Sequence, residues 1–295
     1  MKKTERITRI GLCGCMLVFC LLCVIGCKKE EEDEFPPELA AQLPQTTNYN
    51  VHKFVLDEDY YIYSPVVRWN IDGNEYFMVV DTGAPNNCIM KVSAAKKILG
   101  KVLKKFEFAD GFEAADDYGK FDMDLKVNFY TDKLEYIINP YYVSVFDEFY
   151  GDGLLGLTWM ESYNNIVLDY VNHRIDYNQP PITDLDIPMT KDIYKWQYSI
   201  PFMLNGREVY GMIDTGNYGL TLSLGVIGFE KNENGLYVVH DMSIGDVHYE
   251  NMEADDPDDG AKVSNDFYRE NVLGYPCFKD HVIQLDFKNN VFRIK

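Results

Sequence analysis

Cysteine is scarce where a folded core would use it. Of seven cysteines, Cys13, Cys15, Cys20, Cys23 and Cys27 crowd into the first 27 residues, which leaves Cys88 and Cys277 for the rest of the chain. Two thiols make no disulfide framework, so burial of apolar surface has to hold the fold. They read as separately buried thiols, and the sequence leaves a pairing open. Histidine is scarce too: His52, His173, His240, His248 and His281 show no metal-ligand spacing, so neither a metal nor another cofactor is expected. Positive charge is in deficit, with 28 Lys and Arg against 47 Asp and Glu and a formal net charge of −19. Such a chain has no electrostatic footprint for nucleic acid and is repelled by anionic membrane surfaces. Ser223-Leu224-Gly225 lacks the strand-to-helix setting of a nucleophilic serine. The acidic stretch 253–260 lacks the spaced ligands of a calcium loop and reads as a solvated loop.

What is present begins with an address. Lys2, Lys3, Arg6 and Arg9 precede an apolar run over 10–26 that ends in Val24-Ile25-Gly26-Cys27. A Cys after a branched-branched-Gly triplet resembles the lipobox of bacterial lipoproteins. That resemblance implies a signal peptide over 1–26, cleaved before Cys27, with the Cys27 thiol and the new amine acylated. A single transmembrane anchor fits less well, because the run is short for one. Cleavage removes four basic residues and Glu5, so −19 becomes about −22. Lys28-Lys29, the acidic run 30–34 and Phe35-Pro36-Pro37 then read as a solvated tether over 27–49. This stretch is similar to the Lys-plus-acidic export tag of some surface lipoproteins. The implied location is a bacterial outer membrane, on its periplasmic or cell-surface side, with the lipid as anchor.

The remaining chain repeats itself. Asn70-Ile71-Asp72-Gly73-Asn74-Glu75 leads through an apolar strand to Asp81-Thr82-Gly83. Met203-Leu204-Asn205-Gly206-Arg207-Glu208 leads through another to Asp214-Thr215-Gly216. Gly73 and Gly206 each stand eight residues before their Asp. Asp-Gly and Asn-Gly between apolar runs are strong hairpin signals. Downstream, Leu154-Leu155-Gly156 answers Val272-Leu273-Gly274, and Val167-Leu168-Asp169-Tyr170 answers Gln284-Leu285-Asp286-Phe287. Turns at Asn172-His173 and Asn289-Asn290 follow, each before a last strand. The expectation is an all-β, two-lobed chain, with lobes over 50–180 and 189–295 joined by the Pro-containing stretch 178–188. The first copy carries a surplus, predicted as a helix over 92–99 and a polar hairpin over 106–120. A flap tip is expected near Asp110-Gly111-Phe112.

Paired Asp-Thr-Gly triplets carry more than either does alone. A pseudo-twofold axis would face Asp81 toward Asp214 with too little room for both to ionise, so the pair would share one proton. One carboxylate could then activate water while the other acid protonates a carbonyl oxygen, as hydrolysis of an amide without a covalent intermediate requires. Gly83 and Gly216 permit tight turns, and the Thr82 and Thr215 hydroxyls could bond across the axis.

Taken together, Asp81-Thr82-Gly83-Ala84, Cys88-Ile89-Met90, the segment 94–100 and the two apolar-apolar-Gly motifs resemble the retropepsin-like bacterial aspartic peptidases. The resemblance covers the chain from about residue 65 to 295. It implies a bilobal acid-protease fold, with short helices and a cleft between two pseudo-symmetric barrel-like lobes. It implies Asp81 and Asp214 as the catalytic pair, supported by Thr82, Gly83, Thr215 and Gly216, and a peptide or protein substrate cut by a monomer. Asn217 departs from the Ser, Thr or Ala usual after the second triplet, and no flap Tyr is assignable. A non-catalytic peptide- or glycan-binding lipoprotein on the same fold is the alternative.

Overall fold

The computed structural model describes residues 35–43, 51–59, 62–71, 74–84, 88–90, 125–128, 135–138, 151–192, 197–223, 229–255 and 271–295. The address, Cys27, the expected helix over 92–99 and the expected flap hairpin lie outside these residues. The fold is all-β, with curled, barrel-like sheets and short helices.

The duplication seen in sequence is a duplication of pairing. Strand Ile62–Ile71 forms a hairpin with Asn74–Val80, and Tyr198–Leu204 forms one with Arg207–Ile213. The second hairpin turns at Asn205 and Gly206, both with positive φ (48° and 72°), as a two-residue turn of this twist demands. Burial alternates along Tyr198–Leu204, so Tyr198, Ile200, Phe202 and Leu204 face the core. In the first copy Val67, Trp69, Tyr76, Met78 and Val80 do the same.

The apolar-apolar-Gly motifs form the strands Gly153–Leu155 and Asn271–Leu273. Each runs parallel to its copy's Asp-bearing strand, with Val80 opposite Leu155 and Ile213 opposite Leu273. On its other side each is antiparallel to the strand that follows the triplet, Cys88–Met90 or Leu220–Thr221. The motif therefore threads between the two arms of the loop that bears the Asp. Gly274 closes the second motif because a side chain there would collide with the carbonyl oxygens of Asn217 and Gly219. One-turn helices, Leu157–Met160 and Tyr275–Phe278, follow both motifs.

The last hairpins of the two copies do not stay in separate lobes. Asn165–Asp169 pairs antiparallel with Val282–Asp286, and Val167 lies opposite Gln284. Those two positions are also equivalent in the repeat, so the axis relating the copies passes between them. One continuous sheet results, running Ile187–Pro188, Val291–Ile294, Val282–Asp286, Asn165–Asp169, Arg174–Tyr177, Val51–Asp57. It crosses the boundary expected between residues 180 and 189, and the end of the expected linker is itself a strand, with Ile187 opposite Phe292. Both faces of the sheet are covered, which explains the uninterrupted burial of Asn165–Asp169. One face carries Ile166, Leu168, Ile283 and Leu285 into the core. The other is closed by the segment after Tyr177. There the fully buried Gln284 side chain donates to the carbonyls of Gln179 and Pro180 and to Asn165 Oδ1, and it accepts from Arg293.

Part of the expected tether is folded. Phe35, Leu39 and Leu43 are buried, and they lie with Val55, Ile62, Val66, Val79, Ala84 and Leu154 on the outer face of the first copy's sheet. Their four-residue spacing lines them up on one side of the turn Pro37–Ala40. Phe35 stacks on Phe77 with ring centroids 4.3 Å apart, and Arg68 Nη2 donates to the Ala40 carbonyl. Composition hides this strap, because its three apolar residues sit beside a run of acids.

Candidate active site

Each Asp stands at the buried end of its strand, pinned by its neighbour. The Asp81 amide donates to the Leu155 carbonyl at 3.0 Å, and the Asp214 amide to the Leu273 carbonyl at 3.0 Å. The chain then turns back, so that the Gly83 amide donates to Asp81 Oδ1 at 2.7 Å and the Gly216 amide to Asp214 Oδ1 at 3.0 Å. These bonds orient each carboxylate from its own loop.

The threonines join one copy to the other. The Thr82 amide donates to Thr215 Oγ1 at 3.0 Å, and the Thr215 amide to Thr82 Oγ1 at 2.9 Å. The Thr82 hydroxyl donates in turn to the Ile213 carbonyl, and the Thr215 hydroxyl to the Val80 carbonyl, each at 2.8 Å. Both threonines are buried, so these four bonds satisfy groups that water cannot reach.

The glycines let the loops touch. A Cβ on Gly83 would lie 2.5 Å from the Asp214 carboxylate, and one on Gly216 would collide with the Asp81 carboxylate. Each carboxylate thus lies against the opposite copy's loop. Asp214 is 5% exposed and Asp81 is partly exposed. Burial, and after it the Asp214 charge, hold the Asp81 carboxyl well above the usual range; the Gly83 and Ala84 amides oppose this less strongly. Two carboxyls held this close repel one another when both are ionised, which favours keeping a proton on one of them.

Asn217 is built into the loop through its backbone. Its carbonyl accepts from the Tyr275 amide at 2.8 Å, as the Ala84 carbonyl accepts from the Leu157 amide. Its side chain is buried and its Nδ2 has no hydrogen-bond partner among the described residues.

Several residues near the pair were not anticipated from sequence. Tyr170 is 1% exposed, and its hydroxyl lacks a hydrogen-bond partner among the described residues. Burial, Tyr275 and both carboxylates keep this phenol protonated. Tyr63 from the first copy approaches Tyr275 at 5.4 Å and Tyr218 at 6.2 Å between ring centroids. Tyr275 donates to Glu58 at 3.2 Å, and burial followed by Glu58 pushes its phenol up to about 12. Gln197, beside the second hairpin, reaches the Gly83 carbonyl. A signal existed for two of them, since Tyr218 and Tyr275 follow landmarks of the repeat closely. Tyr63 lies on a strand, and Gln197 just before one, with no chemical motif at either. Among the described residues no group of His, Cys, Asp and Glu is arranged to hold a metal ion.

Comparison with protein-family models gives no match, and comparison with curated proteins gives none either.

Proposed function

We propose that this chain is an aspartic endopeptidase that hydrolyses peptide bonds with water activated by the Asp81/Asp214 pair. The observation that carries the reading is the mutual placement of the two carboxyl groups, each against the other copy's glycine and locked there by the Thr82–Thr215 exchange. A pair with one proton has both catalytic functions in one place. The ionised carboxylate takes a proton from water as the water oxygen attacks the scissile carbonyl carbon. The protonated partner gives its proton to the carbonyl oxygen, which forms a neutral tetrahedral diol. Collapse returns a proton from the diol to a carboxylate while the amine leaves with a proton from the pair, so the starting state is restored. Low polarity around the buried Asp214 strengthens the coupling on which this cycle depends.

The reading extends to place. Acylation at Cys27 would hold the enzyme on a bacterial outer membrane, working as a monomer because one chain supplies both carboxyls. The substrate class is extended peptide or unfolded protein. The test is cleavage of a diverse peptide mixture from pH 3 to 7 by the protein without residues 1–27, beside Asp81→Asn and Asp214→Asn. Cleavage by wild type and silence of each folded variant is the expected result. Equal inertness of all three would replace this reading with that of a peptide- or glycan-binding lipoprotein.

A further inference from the structure

Gly83 and Gly216 are equivalent in the repeat. Each lies two residues after its Asp and presses against the other copy's carboxylate. Their carbonyls differ. Gln197 Nε2 donates to the Gly83 carbonyl oxygen at 2.5 Å, a short contact for a neutral amide. Its own backbone carbonyl accepts from the Asp192 amide at 2.9 Å, so its main chain is held by the second copy. Gly216 is exposed, and among the described residues no donor reaches its carbonyl. The position equivalent to Gln197 in the first copy is Ser64, whose shorter side chain makes no counterpart contact among the described residues.

Resting on the peptidase reading, we propose that Gln197 is a specificity-determining residue: it occupies the Gly83 carbonyl and leaves the equivalent Gly216 carbonyl, which no donor reaches among the described residues, to accept a substrate N–H. An extended peptide binds largely through its backbone, and its N–H groups need acceptors on the protein. Two symmetric carbonyls would hold such a peptide on both sides of the scissile bond. Here a substrate N–H meets a protein carboxamide already seated on one of them. Recognition on the Gly83 side therefore falls to side chains, and on the Gly216 side to the backbone. The cleft reads its substrate asymmetrically although its framework is symmetric.

The experiment uses peptides with a reduced –CH2–NH– link at the scissile position, which cannot be cut. In a series, each remaining backbone amide is replaced in turn by an ester, which removes one N–H. Affinity is measured by calorimetry for the wild-type protein and for Gln197→Met, which keeps length but cannot donate. Wild type is expected to lose affinity at one ester position. Gln197→Met is expected to lose it at two, and to bind the parent peptide about three- to tenfold more tightly, the worth of one hydrogen bond. Two sensitive positions in wild type overturn the proposal whatever the variant does, and so does a single sensitive position in both folded proteins. If peptides bind as expected but the cleavable parent is not hydrolysed, the peptidase reading fails and the role of Gln197 stands. Absence of any peptide binding overturns both.

Discussion

Thr82 and Thr215 exchange hydrogen bonds across the axis, each amide donating to the other's hydroxyl at 3.0 and 2.9 Å. Each hydroxyl also donates to a carbonyl of the opposite strand, Ile213 or Val80. Every polar atom in the exchange has its partner in the other copy. Neither loop is complete alone, and the separation of the carboxyl groups is set by bonds that cannot lengthen independently.

Removing one hydroxyl should be costly. Thr82→Val leaves the Thr215 amide and the Ile213 carbonyl buried without partners, at about 1–3 kcal/mol each when not relieved by water. Urea unfolding should show a loss of about 2–4 kcal/mol, and Thr82→Ser should recover most of it. A loss below 0.5 kcal/mol for the valine variant would mean that the exchange contributes little.

Gly216→Ala tests the closeness of the pair, because the added methyl must displace the Asp81 carboxylate. The variant should fold with modest destabilisation while hydrolysis falls on the order of 100-fold or more, as expected for a misplacement of about 1 Å at reacting groups. Gly206→Ala, at an open hairpin turn, is the control; its positive φ predicts lowered stability and unchanged turnover per folded molecule.

The raised Asp81 carboxyl predicts a sign for stability against pH. The folded protein holds a proton that the unfolded chain gives up in the ordinary carboxylate range. Stability from this group is therefore fully present below that range and is lost as pH rises through the folded value. Asp81→Asn has no proton to lose. Melting curves from pH 3 to 7 should show the variant gaining on wild type as pH rises; a constant difference would count against the shared proton.

Leu39→Ala probes the strap. Leu39 is 2% exposed against the first copy's outer sheet face, so truncation should cost about 2–4 kcal/mol. Glu38→Ala, on the same turn, should change stability by less than about 0.5 kcal/mol. Equal effects from the two would show that the strap is not packed in solution.

The repeat and its chemistry were legible in the chain because their causes are local. A turn that needs positive φ writes Asn-Gly, as at Asn205 and Gly206, and a loop pressed against a carboxylate writes Gly. Two such loops at matching places announce a pair. The threading of Asn271–Leu273 between two strands also left a trace, since its closing Gly274 admits no side chain.

Other features belong to the tertiary structure alone. Whether the last hairpins would stay in their lobes or join depended on which strand edges met, and the facing of Val167 and Gln284 leaves no mark in either sequence segment. Leu39 became core instead of tether because a sheet face 15 or more residues downstream was left to be covered. Gln197 acquired a role only when the second copy brought its carboxamide to Gly83. The sequence by itself determined the carboxyl pair, because backbone conformation and steric room restrict residue type one position at a time. Only the tertiary structure decided what surrounds the pair, because long-range contacts constrain shape and hydrogen-bonding capacity and leave residue identity largely open.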